Sequence, residues 1–118
     1  MLLIDALQEE AAQVQTPESH GVSLAWLLDE RRGAPHFAMR RFRVAPGGYT
    51  PLHRHEWEHE VYILSGEGVV VTEEGEFALE PDSACLVTPG EKHQFRCTGS
   101  EPLEFLCLVP NGPATERG

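Results

Sequence analysis

The sequence predicts a single all-β domain built as a sandwich or a barrel. Turn signals recur at short intervals along the chain, among them Pro46-Gly47-Gly48, Pro81-Asp82 and Pro89-Gly90. The runs between these turns are rich in β-branched and aromatic residues, and several alternate apolar with polar positions, as strands with one buried face do. The length, 118 residues, suits one domain around one hydrophobic core.

The elements follow in order from these signals. The first dozen residues show a weak helical stripe without a capping residue, which leaves a helical turn and an extended arm both open. We therefore divide the chain into an N-terminal arm (1–20), a barrel domain (21–110) and a flexible tail (111–118). The predicted strands are 22–28, 37–44, 52–55, 59–64, 69–72, 77–79, 85–88, 93–97 and 103–109.

Composition narrows the class of protein. The chain carries 19 acidic and 9 basic residues, a formal net charge of −10, which disfavours nucleic acid and anionic membrane surfaces as partners. No apolar run reaches the roughly 20 residues of a membrane span, and no secretory signal is evident, so we expect a cytoplasmic protein. Three cysteines without a Cys-x-x-Cys pair argue against a disulfide framework.

The spacing of the histidines predicts a metal site. His53 and His55 are two residues apart, so on an extended segment both imidazoles point to the same side and can chelate one ion. In the next strand, an inward Val61 places His59 inward and Glu60 outward. We therefore favour His59 over Glu60 as the third ligand, with a β-bulge as the only way to reverse the choice.

A fourth histidine lies far downstream. His93 shares a strand face with Phe95 and Cys97, and this apolar company indicates an inward side chain whose ring nitrogens need partners. Hydrogen bonding within the core would explain any one of these histidines, but the set of four favours a metal centre. His20 and His36 lack partner spacing and are expected to be solvated.

Arg40 is the one charged residue predicted to face the interior near this centre. It shares a strand face with Ala38 and Phe42. Two interpretations stay open: the guanidinium binds a substrate carboxylate or a metal-bound anion, or it forms a salt bridge at the rim with Glu104 or Glu58.

Two stretches resemble the motifs of the cupin superfamily. Gly47-x5-His53-x-His55, followed by a histidine, a glutamate and Gly66, resembles the first cupin motif, and Pro89-Gly90-Glu91-Lys92-His93 resembles the second. The resemblance extends over about residues 37–109, most of the chain. It implies a jelly-roll β-barrel with a metal inside it, and a homodimer.

Within the superfamily, the chain most closely resembles small single-domain bacterial cupins that bind manganese through four histidines. The common form uses three histidines and a glutamate; here His59 stands in place of the glutamate, with Glu60 as the fallback ligand. The predicted metal ligands are His53, His55, His59 and His93. The predicted substrate pocket consists of Arg40, Phe42, Trp57, Phe95, Phe105 and Cys107. For its apolar members, simple core packing is the competing interpretation.

Four neutral imidazoles would leave two positions of an octahedral ion open. We expect Mn(II) first and Fe(II) next, with Ni, Co, Cu or Zn as alternatives. The first functional hypothesis is an oxidoreductase, a dioxygenase or a peroxide-using oxygenase, acting on a small organic substrate. The alternatives are a redox-neutral lyase or isomerase and a non-enzymatic binding or sensor domain, and Arg40 is the only further candidate for a catalytic role.

Overall fold

The computed structural model describes residues 1–115, and these residues form an all-β structure, as predicted. Within this range the only helical elements are three single 3-10 turns, Ala6–Gln8, Glu30–Arg32 and Pro113–Thr115. The strands are β1 (Ala12–Gln13), β2 (His20–Leu28), β3 (Phe37–Tyr49), β4 (His59–Ser65), β5 (Gly68–Thr72), β6 (Gly75–Leu79), β7 (Ala84–Val87), β8 (His93–Cys97) and β9 (Leu103–Pro110).

The strands form one antiparallel, curled sheet that closes around a single core. Its order is β6-β5-β8-β3-β9-β4-β7, and β2 adds to β3 while β1 adds to β2. β3 has three neighbours because it is long and bent. Its first part pairs with β9 and β2, and its last residue, Tyr49, pairs with Arg96 of β8.

The bend in β3 lies at Pro46-Gly47-Gly48, which the sequence predicts as a turn and the structure places inside the strand. Between the pairs Val22↔Val44 and His20↔Tyr49, β3 uses more residues than β2, so the segment bulges. A Cβ on Gly48 would lie 2.5 Å from the carbonyl oxygen of His20, a space that only glycine fits. This bend carries β3 from one half of the sheet to the other.

The core is made by the inward positions of alternating strands. β9 alternates buried and half-buried residues along its whole length, and β4 alternates buried and exposed residues from His59 to Ile63. Each fully buried Leu, Ile, Val or Phe contributes about 1.5–3 kcal/mol relative to an exposed side chain. The largest of these side chains are Phe105, Ile63, Leu103, Val44 and Val109.

One predicted strand is wrong. Residues 52–55 do not form a strand; His53 alone bridges His93, with backbone hydrogen bonds of 3.1 and 2.9 Å. Pro51 has no N–H to extend the ladder on one side, and on the other the carbonyl of His55 accepts from the Gly90 N–H in a turn. The segment thus follows β8 in antiparallel direction through isolated contacts instead of a continuous ladder.

The two ends of the chain are more involved in the fold than a free arm and tail would be. β1 pairs with β2 through Ala12↔Leu24 and Gln13↔Ser23, and the predicted tail contains the Pro113–Thr115 turn. The remainder of that tail, residues 116–118, lies outside the described residues. Among the described residues, no helix has the length and apolar character to cross a membrane.

Candidate metal centre

Four histidines from three segments meet on the inside of the sheet. His53 and His55 lie on the segment before β4, His59 begins β4 and His93 begins β8. The backbone bridge between His53 and His93 joins the first segment to the third. His59 sits opposite Val87 of β7, so that strand pairing fixes it as well.

Three of the four rings form the tightest group. One ligand nitrogen from each of His53, His55 and His93 lies within 4.8 Å of the others, an arrangement that could hold a metal ion. The Nε2 atoms of His53 and His55 are 3.0 Å apart. Two nitrogens bound at right angles to one ion, each at about 2.1 Å, would be separated by about this distance.

The ring of His59 is as close to the others as they are to one another, although its ligand nitrogens are not part of the three-histidine group. Its ring centroid is 5.2 Å from that of His55 and 5.1 Å from that of His93. The side chain is buried whereas Glu60 is exposed. The structure therefore places His59, and not Glu60, next to the other three histidines.

The second ring nitrogens of two histidines have protein partners. Nδ1 of His93 lies 2.9 Å from the carbonyl oxygen of Glu91, to which it can only donate. Nδ1 of His59 lies 3.3 Å from Sγ of Cys107. These contacts direct Nε2 of each ring away from its own strand, and the contact to Glu91 fixes the lone pair of His93 on Nε2.

Burial keeps the imidazoles neutral. It lowers the pKa of His53 to about 4 and that of His59 to about 3, and it also lowers the pKa of His55. The neighbouring His55 adds to the effect at His53, and the Arg40 guanidinium adds to it at His59. At neutral pH these rings are unprotonated, the state that a metal ligand requires.

The donor set fits a divalent transition metal. Nε2 of His59 is buried and has no hydrogen-bond partner among residues 1–115, a state that costs about 1–3 kcal/mol unless another group binds this nitrogen. Imidazole nitrogens suit manganese, iron, nickel, copper and zinc alike, so the set does not select among them. His53, His55 and His93 would hold such an ion, and His59 is placed to join them.

The histidines open onto a cavity of about 670 Å³ with mainly apolar walls. Phe42 and Phe105 stack with centroids 5.1 Å apart, and the Trp57 ring stacks on His55 at 4.5 Å. These flat faces are suited to an unsaturated organic ligand. All six residues predicted for the pocket line it: Arg40, Phe42, Trp57, Phe95, Phe105 and Cys107.

Arg40 is buried on the cavity wall without the predicted rim salt bridge. Glu104 pairs instead with Arg41, at 2.9 Å, and Glu58 forms no ion pair within residues 1–115. An Arg40 Nη2–H donates to Sγ of Cys107 at 3.0 Å. The guanidinium lies 5.4 Å from the Trp26 ring centroid and 5.0 Å from that of Phe42.

Sequence reasoning missed part of the lining. Val22 and Leu24 of β2 line the cavity, and the alternation of that strand could have identified them. Val14 comes from the N-terminal arm and Ala114 from the C-terminal turn, and no local pattern marks either residue as part of a pocket. The cavity is therefore closed partly by both chain ends.

A curled antiparallel barrel with a histidine cluster inside it is the combination expected of a metal-binding cupin. The chain belongs to the cupin domain family, whose model matches residues 40–109. Individual relatives with solved structures are also similar to this chain. The structure of the polyketide cyclase RemF from Streptomyces resistomycificus is 31% identical, with a TM-score of 0.89, over 95% of this chain and 80% of that one.

Two curated relatives match as well. The tetracenomycin polyketide synthase protein TcmJ of Streptomyces glaucescens is 29% identical over 83% of this chain and 67% of its own length. The 1-methylthio-D-xylulose 5-phosphate methylsulfurylase of Rhodospirillum rubrum is 38% identical over 60% of this chain. The match spans only 46% of that protein. The relatives thus share the fold while their named activities differ.

Proposed function

We propose that the chain binds a divalent transition metal through His53, His55, His59 and His93 and catalyses a redox-neutral cyclisation of a polyketide-like substrate. The observation that carries the proposal is the convergence of these imidazoles, including the unpartnered buried Nε2 of His59, on an aromatic-walled cavity. Mn(II) is the proposed ion, and Fe(II) is the next choice. Binding of a small molecule inside the barrel is the general expectation for the family, and cyclisation is the specific reaction that we propose for this chain.

The relatives support this reaction class over others. RemF is named a polyketide cyclase and TcmJ a polyketide synthase protein, and they match 95% and 83% of this chain, respectively. The methylsulfurylase is more similar in sequence but matches a shorter part of this chain and under half of its own length. We therefore give more weight to the relatives whose match covers most of this chain.

The chemistry is balanced without an oxidant. A proton leaves the carbon between two carbonyl groups, and that carbon attacks a third carbonyl carbon of the same chain to form a C–C bond. The electron pair of the attacked C=O goes to its oxygen, which takes up a proton; loss of water then gives an unsaturated ring. When bound, a divalent ion supplies a Lewis acid for the carbonyl oxygens on which negative charge develops.

The residues of the chain provide the surroundings for this step. The half-buried rings of Trp57 and Phe42, the latter backed by the buried Phe105, offer apolar surfaces against which an extended poly-carbonyl chain can fold. Holding the chain in a folded shape brings the reacting carbons together and lowers the entropy cost of ring closure. The same walls limit access of bulk water.

An oxygenase with Mn or Fe is the second candidate. The observation that favours it is the donor set itself: neutral imidazoles leave the full divalent charge uncompensated, and four of them leave two positions of an octahedron open. Dioxygen or a peroxide would be the required co-substrate. The same experiment separates the two candidates.

The experiment uses the full chain stripped of metal and reloaded separately with Mn(II), Fe(II) and Zn(II). Each form is incubated with a synthetic linear poly-β-ketone thioester, without oxygen and under labelled dioxygen, and products are identified by mass spectrometry. We expect a product lighter by one water, without label, formed equally in both atmospheres and lost in H53A and H93A. H36A, in an exposed histidine, is the matched control.

Two results would count against the proposal. If turnover requires dioxygen and the product contains labelled oxygen, the protein is an oxygenase and the cyclase proposal is wrong. Equal turnover by the stripped and the reloaded protein would remove the metal from the reaction. Elemental analysis of protein purified without added metal identifies the native ion independently of any substrate.

A further inference from the structure

Arg40 is a buried cation whose surroundings do not balance its charge. It lies in the sheet between Trp26 of β2 and Cys107 of β9, its register partners on either side. Only 9% of the residue is exposed. Burying a charge without a paired counter-charge costs free energy, so such an arrangement calls for a partner that completes it.

The protein partners found for Arg40 are weak. Its Nη2 donates to the Cys107 thiol, and two aromatic rings face the guanidinium. Its Nε is buried and has no hydrogen-bond partner in the part of the chain that the structure describes. Five N–H donors are available on a guanidinium, so most of its donor capacity remains unused by the described residues.

Other arginines of the chain contrast with Arg40. Arg32, Arg41 and Arg54 each pair with a glutamate, and all three are more exposed than Arg40. Arg41 is next in sequence but faces the other side of the sheet, where it takes Glu104. Among residues 1–115, the most buried arginine is therefore one without a carboxylate.

Arg40 and the histidine cluster face the same cavity. The Cys107 sulfur lies 3.0 Å from Nη2 of Arg40 and 3.3 Å from Nδ1 of His59, so one thiol touches both groups. The planar fork of the guanidinium matches two oxygens of a carboxylate or of a 1,3-dicarbonyl anion.

We infer that Arg40 forms an anion-binding subsite of the cavity, which selects planar unsaturated organic anions, carboxylates or enolates, over neutral molecules of the same shape. The aromatic walls take the flat body of the ligand, and Arg40 takes its charged oxygens. Since the chain as a whole carries a net charge of −10, this local cation provides the attraction that the overall field lacks. The assignment of this ligand as substrate rests on the proposed function; the binding step itself does not need the ion.

The test compares benzoate with benzamide, which have the same size and flat shape but differ in charge. Both are titrated into the metal-stripped full chain at about pH 8, where the imidazoles are neutral. Binding is followed by two-dimensional NMR, including the Nε–H signal of Arg40. We expect benzoate to bind at least about tenfold more tightly than benzamide, as a charge-assisted hydrogen-bonded pair allows, and to shift that signal, which benzamide leaves unchanged.

Variants assign the preference to Arg40. R40M removes the charge at similar length and should bring the two affinities close together, while R40K keeps a charge without the fork and should retain part of the preference. R43M, at an exposed arginine of the same strand, is the control and should bind as wild type does. Should R40M fail to fold, the Nε–H signal of Arg40 in the wild-type protein still tests the inference, because benzoate should shift it and benzamide should not.

Three outcomes separate this inference from the proposed function. No benzoate preference in wild type, or an undiminished preference in R40M, overturns the inference even if metal-dependent cyclisation is found. A preference that depends on Arg40 in a protein that neither binds metal nor cyclises poly-β-ketones supports the subsite and removes the proposed reaction. An Arg40-dependent preference for benzoate, found together with metal-dependent cyclisation, supports an anionic substrate for the enzyme.

Discussion

Nδ1 of His59 on β4 and Sγ of Cys107 on the neighbouring strand β9 are in contact at 3.3 Å on the inner face of the sheet. For His59 to use Nε2 as a ligand, its proton must be on Nδ1, which then donates to the sulfur. Burial raises the pKa of the Cys107 thiol, although Arg40 opposes the shift, so the thiol is protonated at neutral pH. The neutral Cys107 thiol can therefore accept from the Nδ1–H of His59 in the tautomer that leaves Nε2 free to bind a metal.

Replacing Cys107 should weaken metal binding without removing a ligand. C107V takes away the acceptor and should lower the affinity for Zn(II) or Mn(II) by about 10-fold or more, the usual effect of losing a contact that orients a ligand. C107S keeps an acceptor and should retain more affinity. Competition against a chromophoric chelator measures both, with C85V as the control on β7. Equal affinities in C107V and wild type would show that this contact does not orient His59.

His59 and Glu60 offer alternative ligands on opposite faces of one strand. His59 is buried beside the other histidines and Glu60 is exposed, so H59A should weaken metal binding strongly and E60A should leave it unchanged. The loss of an imidazole also opens a cavity in the core, so thermal unfolding of both metal-free variants is recorded alongside the metal titration. Strong weakening in E60A alone would reverse the assignment.

Acid should release the metal and destabilise the metal-free fold. The pKa values of His53 and His59 are about 4 and 3 in the folded chain, below the ordinary value of 6.5. Between these values the unfolded chain binds more protons than the folded one, so stability falls as pH falls from about 6.5 towards 4 and is unaffected by these groups above that range.

Metal content and melting temperature measured between about pH 8 and pH 4 test this. We expect metal loss through roughly pH 6 or below and, in the metal-free protein, a fall in melting temperature on the order of 10 °C between pH 7 and pH 4. The slope should be shallower in H59Q than in H36Q, whose histidine is exposed. Full retention of metal at pH 4 would contradict coordination by imidazoles.

The bend in β3 should depend on glycine at position 48. In G48A the new methyl group would meet the carbonyl oxygens of His20 at 2.5 Å and Ala45 at 2.8 Å, so the strands must separate, at a cost of about 1–3 kcal/mol. G99A is a matched control, since the atom nearest to its new methyl group would be the Cβ of Glu67, at 3.4 Å. Urea unfolding of both variants gives the comparison; equal stability would mean that the bend relaxes freely.

The sequence by itself determined the local part of this structure. Alternation of period two placed β8 at residues 93–97, the bounds the structure has, and identified the buried positions along β4 and β9. The motifs around His53 and His93 named the family before any coordinate was known. Strand parity is a property of neighbouring residues, so a single sequence carries it.

Partners across the sheet were decided by the tertiary structure. The parity of β9 alone could have excluded Glu104 as a partner of Arg40, since Phe105 faces inward, but the thiol and aromatic rings that surround the guanidinium follow from register with β2 and β9. Position 53 pairs with His93 because the chain after β3 follows β8 in antiparallel direction, and the N-terminal arm became a wall of the cavity through β1. These features depend on residues distant in sequence, whose meeting is set by packing of the whole barrel rather than by any local pattern.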